Sequence, residues 1–236
     1  MQKEGQIKVS SENIFPIIKK WLYSDHDIFV RELYSDKDIF LREIVANACD
    51  AIKKYQSLCS IGEAENDGIK PRIEIIADKN AKTLTVTDNG IGMTADEVEK
   101  YITQIAFSGA EEFIEKYKDK SEDNAGIIGH FGLGFYSSYM VSESVEIETL
   151  SYQPNSQPVH WVSDGSTTYE ITDGTRTQHG TSIIMHITED EEEFLDKDKL
   201  RDLLLKYCHF MPYEIYLNPA EEEAVVTKDA DGNEIK

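Results

Sequence analysis

The sequence is poor in positive charge. It holds 24 Lys plus Arg against 45 Asp plus Glu, a net charge of -21 over 236 residues. Such an excess repels nucleic acid and anionic membrane surfaces, so neither is expected as a partner. A polyphosphate ligand would then need a local positive device: a helix N-terminus, free backbone N–H groups or a metal ion. Long apolar runs are missing too. No stretch approaches the roughly 20 residues that span a bilayer, and the opening MQKEGQIKVS has no apolar signal core. Cysteine is scarce. Cys49, Cys59 and Cys208 are odd in number and have no metal-type spacing. That usage predicts reduced, buried thiols in a cytoplasmic protein. What is abundant is core material: 40% of the 236 residues are hydrophobic, enough for one large domain or two small ones.

Along the chain, GQIKVS (5–10) reads as a short strand. From about Asn13 to Ser60 the pattern is helical, interrupted near Ser24-Asp25 and Ser35-Asp36. Each interruption has the form Ser-Asp-x-Asp, which suits an N-cap with acidic residues in the first turn. PRIEIIAD and KTLTVTD, separated by Asn80-Ala81, predict a hairpin, and Thr94 opens a short helix. Residues 107–129 are mostly polar with glycines at both ends, the composition of a mobile cover. A glycine-rich stretch then turns helical at FYSSYM. Strands are expected at about 143–150, 157–163, 166–172 and 179–188, a helix at 197–210 and a last strand at YEIYL. The acidic run Glu189 to Glu193 reads as a solvated loop. Residues 1–217 form the expected domain, and the polar tail 218–236 reads as a linker. Strands in consecutive hairpins with grouped helices favour an α+β two-layer sandwich, not a doubly wound parallel sheet.

Three stretches carry chemistry. In DIFLREIVANACDAIKK, a dense apolar helix, Glu43, Asn47 and Asp50 stand at i, i+4 and i+7 and share one face, with the small Ala51 beside them. TLTVTDNGIGM runs a strand into Asp88 and a glycine turn, which can present a carboxylate into a cleft. Gly92 would let a flat ligand approach the backbone, and Met93 would pack on its face. In GIIGHFGLGFYSSYM, Gly126, Gly129, Gly132 and Gly134 precede a helix, the form of a phosphate cradle. No Gly-Lys-Ser/Thr follows, so it is not a Walker loop.

EIVANACDA (a form of ELxxNxxDA with Ile44 in place of leucine), DNGIGM, GHFGLGFYS and a late HGT stand in order along the chain. The set resembles the gyrase, heat-shock, histidine-kinase and MutL class of ATP-binding domains. GHFGLGFYSSYMV, IAFSGAEEF and YSDKDIFLREIVANACDA narrow the resemblance to the N-terminal domain of the ninety-kilodalton heat-shock chaperones of bacterial HtpG type, over residues 6–217. The resemblance implies a Bergerat-type fold, in which helices cover one face of a mixed, mostly antiparallel sheet of about eight strands. It implies Glu43 as the general base on water and Asn47 as the ligand of Mg²⁺. Asp88 would accept the adenine amino group, helped by water near Gly92 and Thr181. Asp50, Ala51 and Met93 would line adenine and ribose, with Lys54 near the sugar. Gly129, Gly132 and Gly134 would lie over the phosphates, with Phe135 near the sugar. ATP or ADP with Mg²⁺ is thus the expected ligand. Clients and a homodimer partner would be engaged through other domains. Hydrolysis in the family also uses an arginine from the following domain, a contribution worth roughly 10³–10⁵ in rate, so this chain alone is expected to turn over slowly. A nucleotide-sensing module with its catalysis lost is the alternative.

Some positions depart from that pattern. Phe107 stands where a lysine is usual, Ala110 where threonine is usual, and Tyr101 where the family often has asparagine. YSDHDIFVREL is also followed at once by YSDKDIFLREI, eight of eleven positions identical, spanning residues 23–44. The family has one copy. Four residues after Glu32 comes Asp36 and seven after comes Ile39, so only the second copy carries the polar stripe and Glu43 is the expected base. Eleven residues of helix make three turns plus about 20°, so the insertion nearly keeps the apolar face in phase.

Overall fold

The computed structural model describes residues 2–6, 8–9, 37–105, 134–166, 168–218, 227–228 and 234–235. Elements in chain order are β1 (Lys3–Gln6), β2 (Lys8–Val9), α1 (Ile39–Ser60), β3 (Arg72–Asp78), β4 (Thr83–Asp88), α2 (Ala95–Tyr101) and β5 (Gln104–Ile105). There follow a 3-10 helix (Phe135–Met140), β6 (Ser142–Leu150), β7 (Val159–Ser163), β8 (Thr168–Asp173), β9 (Gly180–Ile187), a second 3-10 helix (Glu189–Leu195), α3 (Lys197–Tyr207) and β10 (Glu214–Leu217). Two short strands, β11 (Thr227–Lys228) and β12 (Glu234–Ile235), pair within the tail.

Eight strands form one sheet in the order β1-β8-β7-β6-β9-β4-β3-β10. Every neighbouring pair is antiparallel except β10 with β3. The alternation in each strand decides which face is covered. Leu84 and Val86, Val145 and Ile147, Trp161, Ile171 and Met185 point inward and are almost wholly buried. Thr85, Glu146, His160 and His186 alternate with them on the other face. Against the inner face lies α1, which buries Phe40, Leu41, Ile44, Val45, Ala48, Cys49 and Ile52. Phe194, Leu200 and Leu203 extend that core, and Phe194 meets Phe40 edge-on at 5.1 Å. This is the expected α+β two-layer sandwich, with helices on one face.

Several local expectations hold. PRIEIIAD and KTLTVTD pair as the β3–β4 hairpin. Thr94 caps α2 in a full capping box, its hydroxyl accepting from Glu97 N–H and the Glu97 carboxylate accepting from Thr94 N–H at 2.7 Å.

Others need correction. The first strand signal is two pieces with different partners: β1 joins the sheet edge at β8, and β2 runs parallel to β5. Asp38 occupies the N-cap position of α1 but its side chain caps nothing; it pairs with Lys199 at 3.1 Å, a tertiary contact that outcompetes the local one. The acidic run is a 3-10 helix, not a loop, and Glu191 is buried and ion-paired with Lys37. FYSSYM winds as a 3-10 helix. All three cysteines are free, and Cys49 and Cys208 are buried, but Cys59 is half-buried. Burial pushes the Cys49 thiol up to about 12 and Cys208 to about 11. The first copy of the duplicated phrase with Glu32, the cover at 107–129 with Phe107 and Ala110, and Gly129 and Gly132 lie outside the described residues.

Candidate functional site

The stripe on α1 is graded in exposure. Glu43 is half-exposed, Asn47 is exposed and Asp50 is buried. Glu43 Oε1 accepts from Arg42 Nε at 3.1 Å and from Nη2. Its other oxygen, Oε2, faces Gly134. A Cβ built on Gly134 would sit 3.1 Å from Glu43 Oε2 and 3.3 Å from Asn47 Nδ2. The glycine at the mouth of the 3-10 helix therefore leaves a side-chain-free gap beside the carboxylate and the amide.

One turn further along α1, Ala51 is the docking point for the Asp88 turn. Ile91 N–H donates to Ala51 O at 3.0 Å. Gly90 passes so close to the helix that a Cβ would fall 2.4 Å from the Ala51 carbonyl carbon. Gly92 adopts φ +61°, and a Cβ there would lie 1.8 Å from Leu150 O. Its requirement for glycine therefore comes from packing against the end of β6, a reason that the ligand-approach argument did not contain. Met93 N–H donates to Thr149 Oγ1 at 2.9 Å, and Thr149 Oγ1 meets Thr181 Oγ1 at 3.0 Å. The loop is thus clamped between α1, β6 and β9.

Asp88 ends β4 opposite Thr181 of β9. It is buried at 6% exposure, and Gly90 N–H donates to its Oδ1 at 2.8 Å. Burial pushes its carboxyl up to about 7, although backbone donors from Gly90 and Thr181 and the charges of Arg176 and His179 pull the other way. Lys54 is drawn down by burial, with Asp50 and Glu97 opposing the shift. Ala51 and Met93 are half-buried, and Met93 packs on the core.

Most of the expected residues converge on α1 and the turn it carries. Phe135 packs inward beneath the 3-10 helix. It is 7% exposed and packed edge-on against Trp161 at 5.6 Å, which commits its ring to the core beneath the 3-10 helix. Three residues were missed. Thr149 gives no sequence signal, since it is one alternating threonine among many. Arg176 bonds Ser182 Oγ at 2.6 Å and the Asp88 carbonyl oxygen at 3.3 Å from a loop that patterning cannot place. His179 was within sight in the HGT triplet.

Comparison with known proteins places the chain in a family. Residues 35–194 match the family described as "Histidine kinase-, DNA gyrase B-, and HSP90-like ATPase". The chain is similar to proteins named "Chaperone protein HtpG". One, from Porphyromonas gingivalis, is 50% identical over 222 residues, 94% of this chain and 30% of the relative. Another, from Bacteroides thetaiotaomicron, is 48% identical over the same length, again 94% of this chain and 30% of the relative. A third, from Sulfurimonas denitrificans, is 39% identical over 232 residues, 98% of this chain and 35% of the relative. The chain therefore spans about a third of the length of these relatives.

Proposed function

The chain belongs to the family of histidine kinase-, DNA gyrase B- and HSP90-like ATPases, and from that premise we propose that it is the nucleotide-binding domain of an HtpG-type chaperone. The observation that carries the reading is the docking of the Asp88 turn on α1 at Ala51. It fixes a buried carboxylate at one end of a polar stripe whose other end is Glu43. Eight residues of helix separate Ala51 from Glu43, about 12 Å at the helical rise.

In this reading Asp88 accepts the purine amino group, with Thr181 and Gly92 at the same end. Asp50, Ala51, Met93 and Lys54 flank the base and sugar. The donor set at the other end fits Mg²⁺, which takes few protein ligands, keeps its waters and binds mainly through phosphate. Asn47, an exposed neutral amide facing the gap at Gly134, would hold it. When bound, the ion supplies charge neutralisation to the phosphates. Glu43 orients a water at the open end of the stripe and takes its proton; a base needs only hydrogen-bond reach for that. Arg42 holds one oxygen of that carboxylate, and an arginine from elsewhere in the longer relatives' chains would be needed in addition, so turnover by this chain alone is slow. Client proteins, a homodimer partner and a cytoplasmic setting belong to the same proposal. Among the described residues, no helix is long and apolar enough to cross a membrane.

Calorimetric titration with Mg-ADP tests the reading. The wild type is expected to bind, and Asp88→Asn to bind at least tenfold more weakly, since a hydrogen bond to a buried charge is worth roughly 1.5–3 kcal/mol. Equal affinities would remove Asp88 from the site.

A further inference from the structure

His179 stands in the connection from β8 to β9, immediately before Gly180 and Thr181, and the proposed function gives it no role. Its Nδ1 lies 2.6 Å from the Gly90 carbonyl oxygen, and its Nε2 lies 2.9 Å from Asp67 Oδ2. The ring packs on Tyr55 of α1, centroids 4.2 Å apart. A carbonyl oxygen and a carboxylate are acceptors only. Both contacts are hydrogen bonds only when both ring nitrogens carry hydrogen.

Gly90 is also held from its other side. Its N–H donates to Asp88 Oδ1 at 2.8 Å. The peptide that carries its carbonyl donates the Ile91 N–H to Ala51 O at 3.0 Å. His179 therefore fixes the remaining free atom of the peptide plane directly behind the carboxylate. Asp67, in the loop after α1, holds the ring against that carbonyl. Among the described residues, four charged or titratable groups surround the ring. Asp67 faces it from the loop, Asp88 from the end of β4 and Tyr55 from α1. Arg176, from its own connection, reaches the carbonyl oxygens of His179 and Asp88 at 3.4 Å and 3.3 Å.

On the reading that this site takes a purine nucleotide, we propose that doubly protonated His179 is a positioning residue for base recognition. It locks the Gly90–Ile91 peptide, and through it Asp88, so that nucleotide affinity falls when the ring loses its second proton.

The proposal gives affinity two opposing limbs. Asp88 must be ionised to accept, and burial holds its carboxyl at about 7, so affinity climbs as pH rises through that value. Loss of the ring proton at higher pH works in the opposite sense, because one nitrogen then presents a lone pair to an acceptor. The ring charge also helps to hold Asp88 down. Its removal moves the rising limb to higher pH.

The test measures Mg-ADP affinity by calorimetry between about pH 5.5 and pH 9, the window in which histidine titrates. Wild type, His179→Asn, His179→Gln, Asp67→Asn and Asp88→Asn are compared, each checked for a cooperative thermal transition. His179→Asn places an amide donor near the Gly90 carbonyl. It is expected to bind within about threefold of wild type at neutral pH, to lose the falling limb and to move the rising limb upward. His179→Gln reaches toward Asp67 and leaves the carbonyl without its donor; the expected loss is about tenfold. Asp67→Asn leaves the Gly90 contact in place, and the introduced amide can donate to a neutral ring, so the falling limb is expected to vanish there too. Asp67→Asn carries the test if His179→Gln does not fold. A falling limb that persists in both His179→Asn and Asp67→Asn overturns the proposal, as does wild-type affinity in a folded His179→Gln. A wild type that does not bind Mg-ADP, or an Asp88→Asn variant that binds as well, overturns the nucleotide reading and this proposal with it.

Discussion

Replacing Gly92 with alanine separates two physical effects that the structure combines at one residue. The first is backbone conformation: φ is +61°, in the left-handed region, where a Cβ costs about 1–2 kcal/mol. The second is contact: the new Cβ would lie 1.8 Å from Leu150 O and 2.5 Å from its carbonyl carbon. Neither atom belongs to a flexible side chain, so β6 or the loop must move. Relief of such overpacking costs typically about 1–3 kcal/mol. The movement also strains the Met93 N–H bond to Thr149 and the Tyr152 N–H bond to Ile91 O, each 2.9 Å long. Each is worth about 1 kcal/mol net. The total is about 4–7 kcal/mol, a large part of a typical domain's 5–15 kcal/mol. Gly62→Ala is the control, because Gly62 has φ +74° and nothing within 4 Å of the new Cβ. It should lose only the conformational part, about 1–2 kcal/mol. Urea unfolding followed by the fluorescence of buried Trp161 gives both values by linear extrapolation. A Gly92→Ala chain with no cooperative transition is the extreme form of the expected result. Two variants equal within about 0.5 kcal/mol, the usual additivity error, would show that the Leu150 contact carries no weight.

The other predictions concern single groups. Glu43→Gln should leave Mg-ADP binding within about threefold and abolish the residual ATP hydrolysis, since only the proton acceptor is removed; phosphate release in a coupled assay reads this. Thr149→Val should lower stability by about 1–3 kcal/mol, because it leaves the Met93 N–H and the Thr181 hydroxyl without their partner. On the uncovered sheet face, desolvation acts against Glu146, but hydrogen bonds from His160 and His186 hold its carboxyl below the ordinary value. A depressed carboxyl contributes stability that is present above its unfolded pKa and lost as pH falls through the folded one. Glu146→Gln should therefore flatten the acid limb of a stability-versus-pH curve by less than about 1 kcal/mol, given the half-exposed position; an unchanged acid limb would show that the pairs contribute nothing.

Periodicity carried most of the fold. The period of two in TLTVTD and SVEIETL put Leu84, Val86, Val145 and Ile147 on the buried face, and the dense apolar set of α1 could only belong to a helix covered on several sides. Where expectation and structure part, a distant group decided the outcome. Asp38 has the right chemistry for a cap, but Lys199, far along the chain, takes its carboxylate. Glu191 sits in a run that reads as solvated, yet Lys37 neutralises it and lets it be buried. Pairings across such sequence distances leave no local pattern.

The site shows the same division more sharply. Glu43, Asn47 and Asp50 were legible because helical spacing alone puts them on one face. Asp88 was legible because a strand and a glycine turn bracket it. The reason for each glycine was not. Gly90 is required by the approach of α1, Gly92 by the Leu150 carbonyl, and Gly134 by the carboxylate and amide across the gap. One residue type thus answers three different steric demands, two from backbone and one from side chains, and a sequence records only the answer. The same holds for His179. Its letter is visible in HGT, but its role depends on two acceptors that come from other parts of the chain, at Gly90 and Asp67. A histidine between two acceptors can satisfy both only through both ring nitrogens, and that arrangement exists only once the chain has brought them together. The legible residues therefore lie in α1 and the Asp88 turn, while the tertiary contacts that hold the turn still come from distant parts of the chain.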